Sequence, residues 1–157
     1  MDIDPARYER LKNKAHQLYT ASRTIRCPYF GTEITLNADG FHHLQFSARR
    51  ERSKAEQLLK FTLLPLALQV IRKAGTIQEY RKALTPIGKR SARDGLVPMK
   101  EVEYWGLSAI VGEKHEVKIR VILRRVGTGN IIFWSVMPDK KFVDGAQRLA
   151  DRDIEDA

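Results

Sequence analysis

The clearest strand pattern in the sequence is HEVKIRVILRRV, residues 115–126. Apolar residues alternate with charged ones over much of this stretch, as they do in a β-strand with one buried face. One face carries the apolar set Val117, Ile119, Val121 and Leu123. The opposite face carries Lys118, Arg120, Ile122 and Arg124. The alternation predicts that the first face packs on helices and that the second can meet phosphate groups.

Two β-rich runs flank this strand, Val102 to Val111 before it and Asn130 to Val136 after it. Gly112 and the segment Gly127-Thr128-Gly129 separate the runs at positions suited to turns. The second half of the chain therefore predicts three consecutive antiparallel strands. The glycine segment lacks the Lys-Ser/Thr pair of a phosphate-binding P-loop, which favours a hairpin turn over a nucleotide site.

Helical spacing appears at the start of the chain. Asp-Pro at residues 4–5 is typical of a helix start, with aspartate as the cap and proline at the first helical position. The apolar repeat that follows predicts a first helix that ends near Thr20. Thr24 to Tyr29 and Thr32 to Leu36 are then predicted as two short strands, and Pro28 indicates an edge position.

Two more helices are expected in the middle of the chain. Asn37 is suited to cap a short helix that carries His42 and His43. A longer, leucine-rich helix is expected after the basic segment that ends at Lys54. Because proline lacks a backbone N–H, Pro65 is expected to start a new turn or helix.

The order of these elements predicts the fold class. Lys82 to Met99 combines prolines and glycines with positive charge and is predicted to be a mobile basic loop. Helices come first and antiparallel strands afterwards, which predicts an α+β fold, with N-terminal helices packed on a C-terminal antiparallel sheet of about four strands. We expect one basic domain over residues 1–141 and an acidic tail over residues 142–157.

Composition limits the compartment and the partners. Cys27 is the single cysteine, so no internal disulfide can form, and a lone thiol suits a reducing compartment. The first residues lack a signal-peptide pattern. The longest apolar run, Phe61 to Ile71, is too short to cross a bilayer. These features predict a cytoplasmic protein with no membrane partner.

Charge is distributed unevenly along the chain. The formal charge is +9, and residues 142–157 contribute −3 to it, which leaves +12 on residues 1–141. Such a basic body attracts phosphates through counterion release, and the acidic tail can compete for the same surface. RNA or another polyanion is the predicted partner, and charge alone does not distinguish tRNA, mRNA and rRNA.

The adjacent residues His42 and His43 are candidates for acid–base chemistry. On a helix they point roughly 100° apart, so one is expected to pack inward while the other faces a cleft. An unperturbed histidine pKa of about 6.5 suits proton transfer at a ribose hydroxyl near neutral pH. The histidine spacing does not match that of a zinc site, so no metal and no cofactor are predicted.

Two groups of cations and several aromatic residues are candidates for RNA contact. Arg49, Arg50, Arg52 and Lys54 are interleaved with acidic residues, so they fit either a solvated face with local ion pairs or phosphate contacts. The strand cations Lys118, Arg120 and Arg124 repel one another unless an anion lies nearby, which favours a ligand. Tyr104, Trp105 and Trp134 can stack on bases or pack in the core.

From Tyr29 to Leu44 the sequence reads YFGTEITLNADGFHHL. Its Gly-Phe-x-His-Leu pattern resembles a bacterial and phage group within the barnase, EndoU, colicin and RelE-like nuclease superfamily, and the resemblance extends to about Lys141. It implies helices packed on a four-stranded antiparallel sheet and metal-independent RNA cleavage, commonly as a toxin. On this resemblance His43 matches the helical histidine, Arg120 and Arg124 match basic sheet positions, and Ser135 matches a small hydroxyl residue.

Together these features predict a metal-independent endoribonuclease, in the context of a toxin–antitoxin or phage-related system. His43 is expected to be the general acid or base, Arg120 and Arg124 to stabilise the phosphorane charge, and Ser135 to hydrogen-bond the phosphate or a base. An acidic antitoxin or immunity protein is expected to cover the basic face. The predicted nucleic-acid-binding residues are His42, Arg49, Arg50, Arg52, Lys54, Lys118, Lys140 and Lys141.

Two other classes of function fit the same residues. A non-catalytic RNA- or DNA-binding module would use the basic face without any chemistry at histidine. A protein-interaction module would dock an acidic protein on that face. Salt-sensitive nucleic-acid binding without cleavage would select the first, and failure to bind any nucleic acid near physiological salt would favour the second.

Overall fold

The computed structural model describes residues 3–112, 116–139 and 154–157. Within these ranges the helices are α1 (Pro5–Ser22), α2 (Ala38–His43) and α3 (Lys54–Lys73), with a 3-10 turn at Ile154–Asp156. The strands are β1 (Thr24–Cys27), β2 (Thr32–Thr35), β3 (Glu79–Pro86), β4 (Met99–Val111), β5 (Val117–Val126) and β6 (Ile132–Pro138). The fold is α+β, and this class is the one that the order of elements predicts.

The strands form one mixed sheet in the order β1-β2-β6-β5-β4-β3. The predicted antiparallel run of three strands is confirmed as β4, β5 and β6. The sheet has six strands rather than about four, because the β1–β2 hairpin joins β6 through a parallel pair between Thr35 and Ile132. The edge position indicated by Pro28 is confirmed, since β1 lies at the border of the sheet.

The predicted loop from Lys82 to Met99 is wrong over its first part. Residues 79–86 form β3, which pairs with β4 up to Pro86 opposite Met99. This strand lies at the sheet edge, with side chains that are exposed or half-buried, so it lacks the apolar alternation of a buried strand. The Tyr80 hydroxyl donates to Glu103, and Lys82 pairs with Glu101, so polar cross-strand contacts help hold it.

The helices begin where polar caps satisfy their first amides. Asp4 accepts a hydrogen bond from the Ala6 amide, Asn37 from the Gly40 amide and Ser53 from the Glu56 amide. The expected restart at Pro65 is wrong, because α3 continues through it. Pro65 is exposed, and buried residues on the other side of the same helix anchor both halves on the sheet.

Two apolar clusters cover the two faces of the sheet. The larger lies between the helices and the sheet and includes Ile119, Val121 and Leu123, as the alternation of β5 predicts. The smaller lies on the opposite face and contains Val102, Tyr104, Ile122 and Ile154. Part of the face predicted to meet phosphates is therefore covered by the 3-10 turn. No helix among the described residues is both long enough and apolar enough to cross a bilayer.

Gly40 allows α2 to pack directly against β6. A β-carbon at this position would overlap the Phe133 carbonyl oxygen and would lie 2.6 Å from the Tyr19 hydroxyl. Phe41, the next residue, stacks on Phe61 with ring centroids 5.7 Å apart. This close approach brings the end of α2, and with it His43, onto strand β6.

Candidate functional site

A cavity of about 370 Å³ opens at the end of α2 and faces the four strands β3 to β6. We call it the His43 cavity. Polar and aromatic side chains dominate its wall, among them His42, His43, Tyr104, Arg124, Trp134 and Asp156. A pocket with this mixture of aromatic surface and convergent polar groups is typical of a ligand site.

Trp134 is at the centre of the aromatic wall. The imidazole of His43 stacks on its indole, with centroids 4.1 Å apart and planes inclined by 17°. The Arg124 guanidinium lies 4.3 Å from the Trp134 ring centroid, and its Nε donates to the Tyr104 hydroxyl at 3.1 Å. A guanidinium at this distance is attracted to the indole π-system, so its position is defined by an aromatic ring and a hydroxyl.

His43 is a buried, neutral imidazole. It is 5% exposed, and its Nε2 lies 3.1 Å from the main-chain oxygen of Ala157 and 3.1 Å from Arg52 Nη2. Burial, assisted by the positive charge of Arg52, lowers its pKa from 6.5 to about 3. At neutral pH the ring therefore retains a nitrogen lone pair, which is the form that accepts protons or hydrogen bonds.

Arg52 holds the segment between α2 and α3 around this histidine. Its Nε donates to the main-chain oxygen of His43 at 3.0 Å, and its Nη2 donates to the Ala157 oxygen at 3.0 Å. Glu56, four residues later, lies 3.7 Å from Nη1. Arg52 was predicted as a surface phosphate contact, whereas the structure buries it against His43 and the 154–157 segment.

Ser135 is not on the cavity wall. It is fully buried, and its hydroxyl accepts a hydrogen bond from Lys60 Nζ at 2.9 Å. Lys60 also donates to the Val136 carbonyl at 3.0 Å. Burial, followed by repulsion from Arg52, lowers the lysine pKa to about 7. The predicted role of Ser135 at a phosphate therefore has no support in its position, which is that of a partner to Lys60.

Arg120 is also separated from the cavity. It is 4% exposed, and its guanidinium makes two hydrogen bonds to the Glu79 carboxylate, one of them at 2.7 Å. A buried bidentate pair of this kind leaves the arginine charge compensated by carboxylate. Of the four predicted catalytic residues, all within the described part of the chain, the structure brings His43 and Arg124 together in the His43 cavity.

The predicted binding residues occupy several different surroundings. His42 is exposed and stacks on Phe46 at 4.5 Å, whereas His43 is buried, and both histidines line the cavity. Arg49 and Arg50 are exposed, and Arg50 pairs with Glu56 at 3.3 Å. The other cations are Lys54, near Glu51 at 3.7 Å, and Lys118, near Asp139 at 3.9 Å. Lys140 and Lys141 lie outside the described residues.

The sequence carries one signal for Lys60, which is the only charged residue between Gln57 and Ile71, in a mostly apolar helical run. A lone cation in such a run is typically buried and paired. No comparable local signal marks Asp156 and Ala157, because their contacts cross more than 100 residues of sequence.

No protein-family model matches the chain, and comparisons with curated proteins and with solved structures also give no match. Within residues 3–112, 116–139 and 154–157, no three His, Cys, Asp or Glu side chains converge as they would around a metal ion.

Proposed function

We propose that the His43 cavity binds a nucleotide unit of RNA and that the protein is a metal-independent endoribonuclease. The observation that carries this proposal is the convergence of a neutral imidazole, a guanidinium and an indole in one cavity. The guanidinium is suited to a phosphate and the imidazole to a ribose hydroxyl, and the indole holds both groups in place.

In the proposed reaction the ribose 2′-oxygen attacks the adjacent phosphorus. His43 accepts the 2′-hydroxyl proton, and the 2′-oxygen–phosphorus bond forms while the phosphorus–5′-oxygen bond breaks. The 5′-oxygen leaves with a proton from water or from the imidazolium, so the products are a 2′,3′-cyclic phosphate and a 5′-hydroxyl. A bound phosphate beside His43 raises the histidine pKa, because an opposite charge favours the imidazolium.

Arg124 is the residue proposed to stabilise the phosphorane. Its charge lies at the cavity, whereas the charge of Arg120 is compensated by Glu79. An arginine aimed at the position where negative charge develops is a typical source of transition-state stabilisation. Trp134 would keep His43 and Arg124 in position through its two ring faces, and Arg120 and Ser135 are assigned to the structure of the sheet.

The test is incubation of the purified protein with total RNA in EDTA, with products resolved on a denaturing gel. Discrete cleavage by the wild type that is lost in His43→Gln would support the proposal. His16→Gln is the matched control, because it removes an exposed imidazole on α1 that does not line the cavity. Equal cleavage by wild type and His43→Gln would reject the histidine as the base.

A non-catalytic RNA- or DNA-binding module is the second candidate function. It is favoured by the positions of Arg120 and Ser135, which remove two of the four predicted catalytic groups from the cavity. The same cavity and the basic body would still bind nucleic acid, and binding would weaken steeply with salt. Intact RNA that shifts on a native gel would select this function.

The proposal also includes a toxin–antitoxin or phage-related context and an inhibitory protein partner. An active ribonuclease in the cytoplasm damages its own cell, so a toxin of this kind requires an inhibitor. The +12 charge on residues 1–141 suits an acidic antitoxin or immunity protein. Recovery of an acidic protein with the tagged chain from its native cell, lost on washing with high salt, would support this partner.

A further inference from the structure

Residues 154–157 lie directly on the proposed RNA site. Ile154 is 5% exposed and packs with Val102, Tyr104 and Ile122 on the face of the sheet opposite the helices. Tyr104 is also the hydroxyl partner of Arg124. The isoleucine therefore anchors the segment beside the cavity, through contact with a residue of the cavity wall.

The two residues at the end of this segment engage the polar groups of the site. Asp156 lines the cavity, and its Oδ1 accepts a hydrogen bond from the Ala48 amide at 2.9 Å. The Ala157 main-chain oxygen accepts one from Arg52 Nη2 at 3.0 Å and lies 3.1 Å from His43 Nε2. A carboxylate and a carbonyl thus cover an amide, a guanidinium and an imidazole.

These donors are the groups that proteins use to hold phosphate. Backbone amides and arginine are among the groups that contact phosphate in nucleic-acid complexes, and they also bind carboxylate oxygens. The Asp156 carboxylate therefore occupies a position in which an RNA phosphate oxygen would find the Ala48 amide, and the Ala157 main-chain oxygen covers Arg52 beside it. The acidic composition of residues 142–157 agrees with such a role.

We propose that the Ala48 amide and Arg52 form a phosphate subsite for RNA, and that residues 154–157 occupy it as an intramolecular competitor. This inference rests on the proposed function, since it regulates the same site. The competitor is displaceable because Asp156 and Ala157 are half-exposed, whereas Ile154 supplies the buried anchor. A tethered competitor acts at high effective concentration, so even weak contacts lower the apparent affinity for RNA.

The test is fluorescence anisotropy with a labelled 2′-O-methyl RNA oligonucleotide, which lacks the attacking hydroxyl and cannot be cleaved. Asp156→Ala removes the carboxylate from the Ala48 amide and is expected to tighten binding on the order of threefold to tenfold. The plot of log K against log salt should also steepen, because loss of the Asp156 charge leaves more of the Arg52 charge available to a phosphate.

Asp94→Ala is the matched control, because it makes the same charge change in an exposed loop where the carboxylate accepts from the Leu96 amide. Equal tightening in both variants would show a general charge effect and would overturn the inference. Unchanged affinity in Asp156→Ala would overturn it as well. Ile154→Ser, checked for folding by thermal denaturation, should tighten binding like Asp156→Ala because it loosens the anchor.

This binding assay separates the inference from the proposed function. Tighter binding by Asp156→Ala without any cleavage of ordinary RNA would support residues 154–157 as a competitor and would contradict the proposed nuclease activity. Cleavage of ordinary RNA, with equal RNA affinity in wild type and Asp156→Ala, would support the nuclease activity and would contradict the competitor role of residues 154–157.

Discussion

The imidazole of His43 lies almost parallel to the indole of Trp134, with ring centroids 4.1 Å apart. This stack joins the end of α2 to strand β6, and it depends on how closely the helix approaches the sheet. Gly40, three residues before His43, lies so close to β6 that a β-carbon there would overlap the Phe133 carbonyl oxygen. Packing of α2 against β6 therefore explains the glycine of the Gly-Phe-x-His-Leu pattern without any catalytic role.

Gly40→Ala is expected to destabilise the protein. The new β-carbon meets the backbone of Phe133, which cannot move without disturbing β6, so the cost should be about 1–3 kcal/mol of unfolding free energy. Urea unfolding followed by circular dichroism measures it. Gly75→Ala is the control, since no heavy atom lies within 4 Å of its added β-carbon. Equal stability of the two variants would contradict the packing described for α2.

Arg124→Gln is expected to weaken RNA binding about tenfold and to reduce the salt dependence by about one phosphate contact. Arg125→Gln is a matched control on the same strand, because Arg125 pairs with Glu103 and lies over Trp105 instead of Trp134. Anisotropy titrations at several salt concentrations compare the two. Equal losses in both variants would mean that net charge, rather than the cavity, determines binding.

Trp134 is expected to report on RNA binding in the His43 cavity through its fluorescence. The chain has two tryptophans, so Trp105→Phe leaves Trp134 as the sole indole emitter. A nucleotide bound beside Trp134 in the His43 cavity should quench this emission in proportion to occupancy, with a midpoint equal to that of anisotropy. The complementary variant, Trp134→Phe, should show little quenching. Quenching confined to Trp105 would place the RNA elsewhere.

Because Lys60 is buried, the free energy of unfolding is expected to change with pH in the neutral to alkaline range. Its pKa is about 7 in the folded protein and 10.5 in the unfolded chain, so between these values the unfolded state binds more protons. The unfolding free energy should therefore rise with pH across this window, by up to about 1.4 kcal/mol per pH unit. Lys60→Met removes this contribution, and a matching slope in wild type and variant would contradict the burial of a titrating lysine.

Local patterns in the sequence predicted much of the fold. The alternation in β5 identified the face that packs on the helices, and the caps Asp4 and Asn37 identified two helix starts. β3 was missed because an exposed edge strand needs no apolar alternation. Pro65 was misread because anchoring of α3 on the sheet outweighs the loss of one helical hydrogen bond.

The site was less predictable because its contacts join distant parts of the chain. Periodicity placed Arg120 and Arg124 on one face, but it could not show that Glu79, 41 positions earlier, compensates Arg120. Ser135 meets Lys60 across 75 positions, and Asp156 meets Ala48 across 108. Such pairs are determined by tertiary packing, so they cannot be predicted from the spacing of residues along the sequence.

The most direct test of the account is the chemistry of the RNA ends. A short RNA with one susceptible ribose is incubated with wild-type protein in EDTA, and the products are identified by mass spectrometry. The account predicts a 2′,3′-cyclic phosphate and a 5′-hydroxyl, lost when that ribose is 2′-deoxy and lost in His43→Gln. Intact RNA, or cleavage that persists at the deoxy position or in His43→Gln, would contradict it.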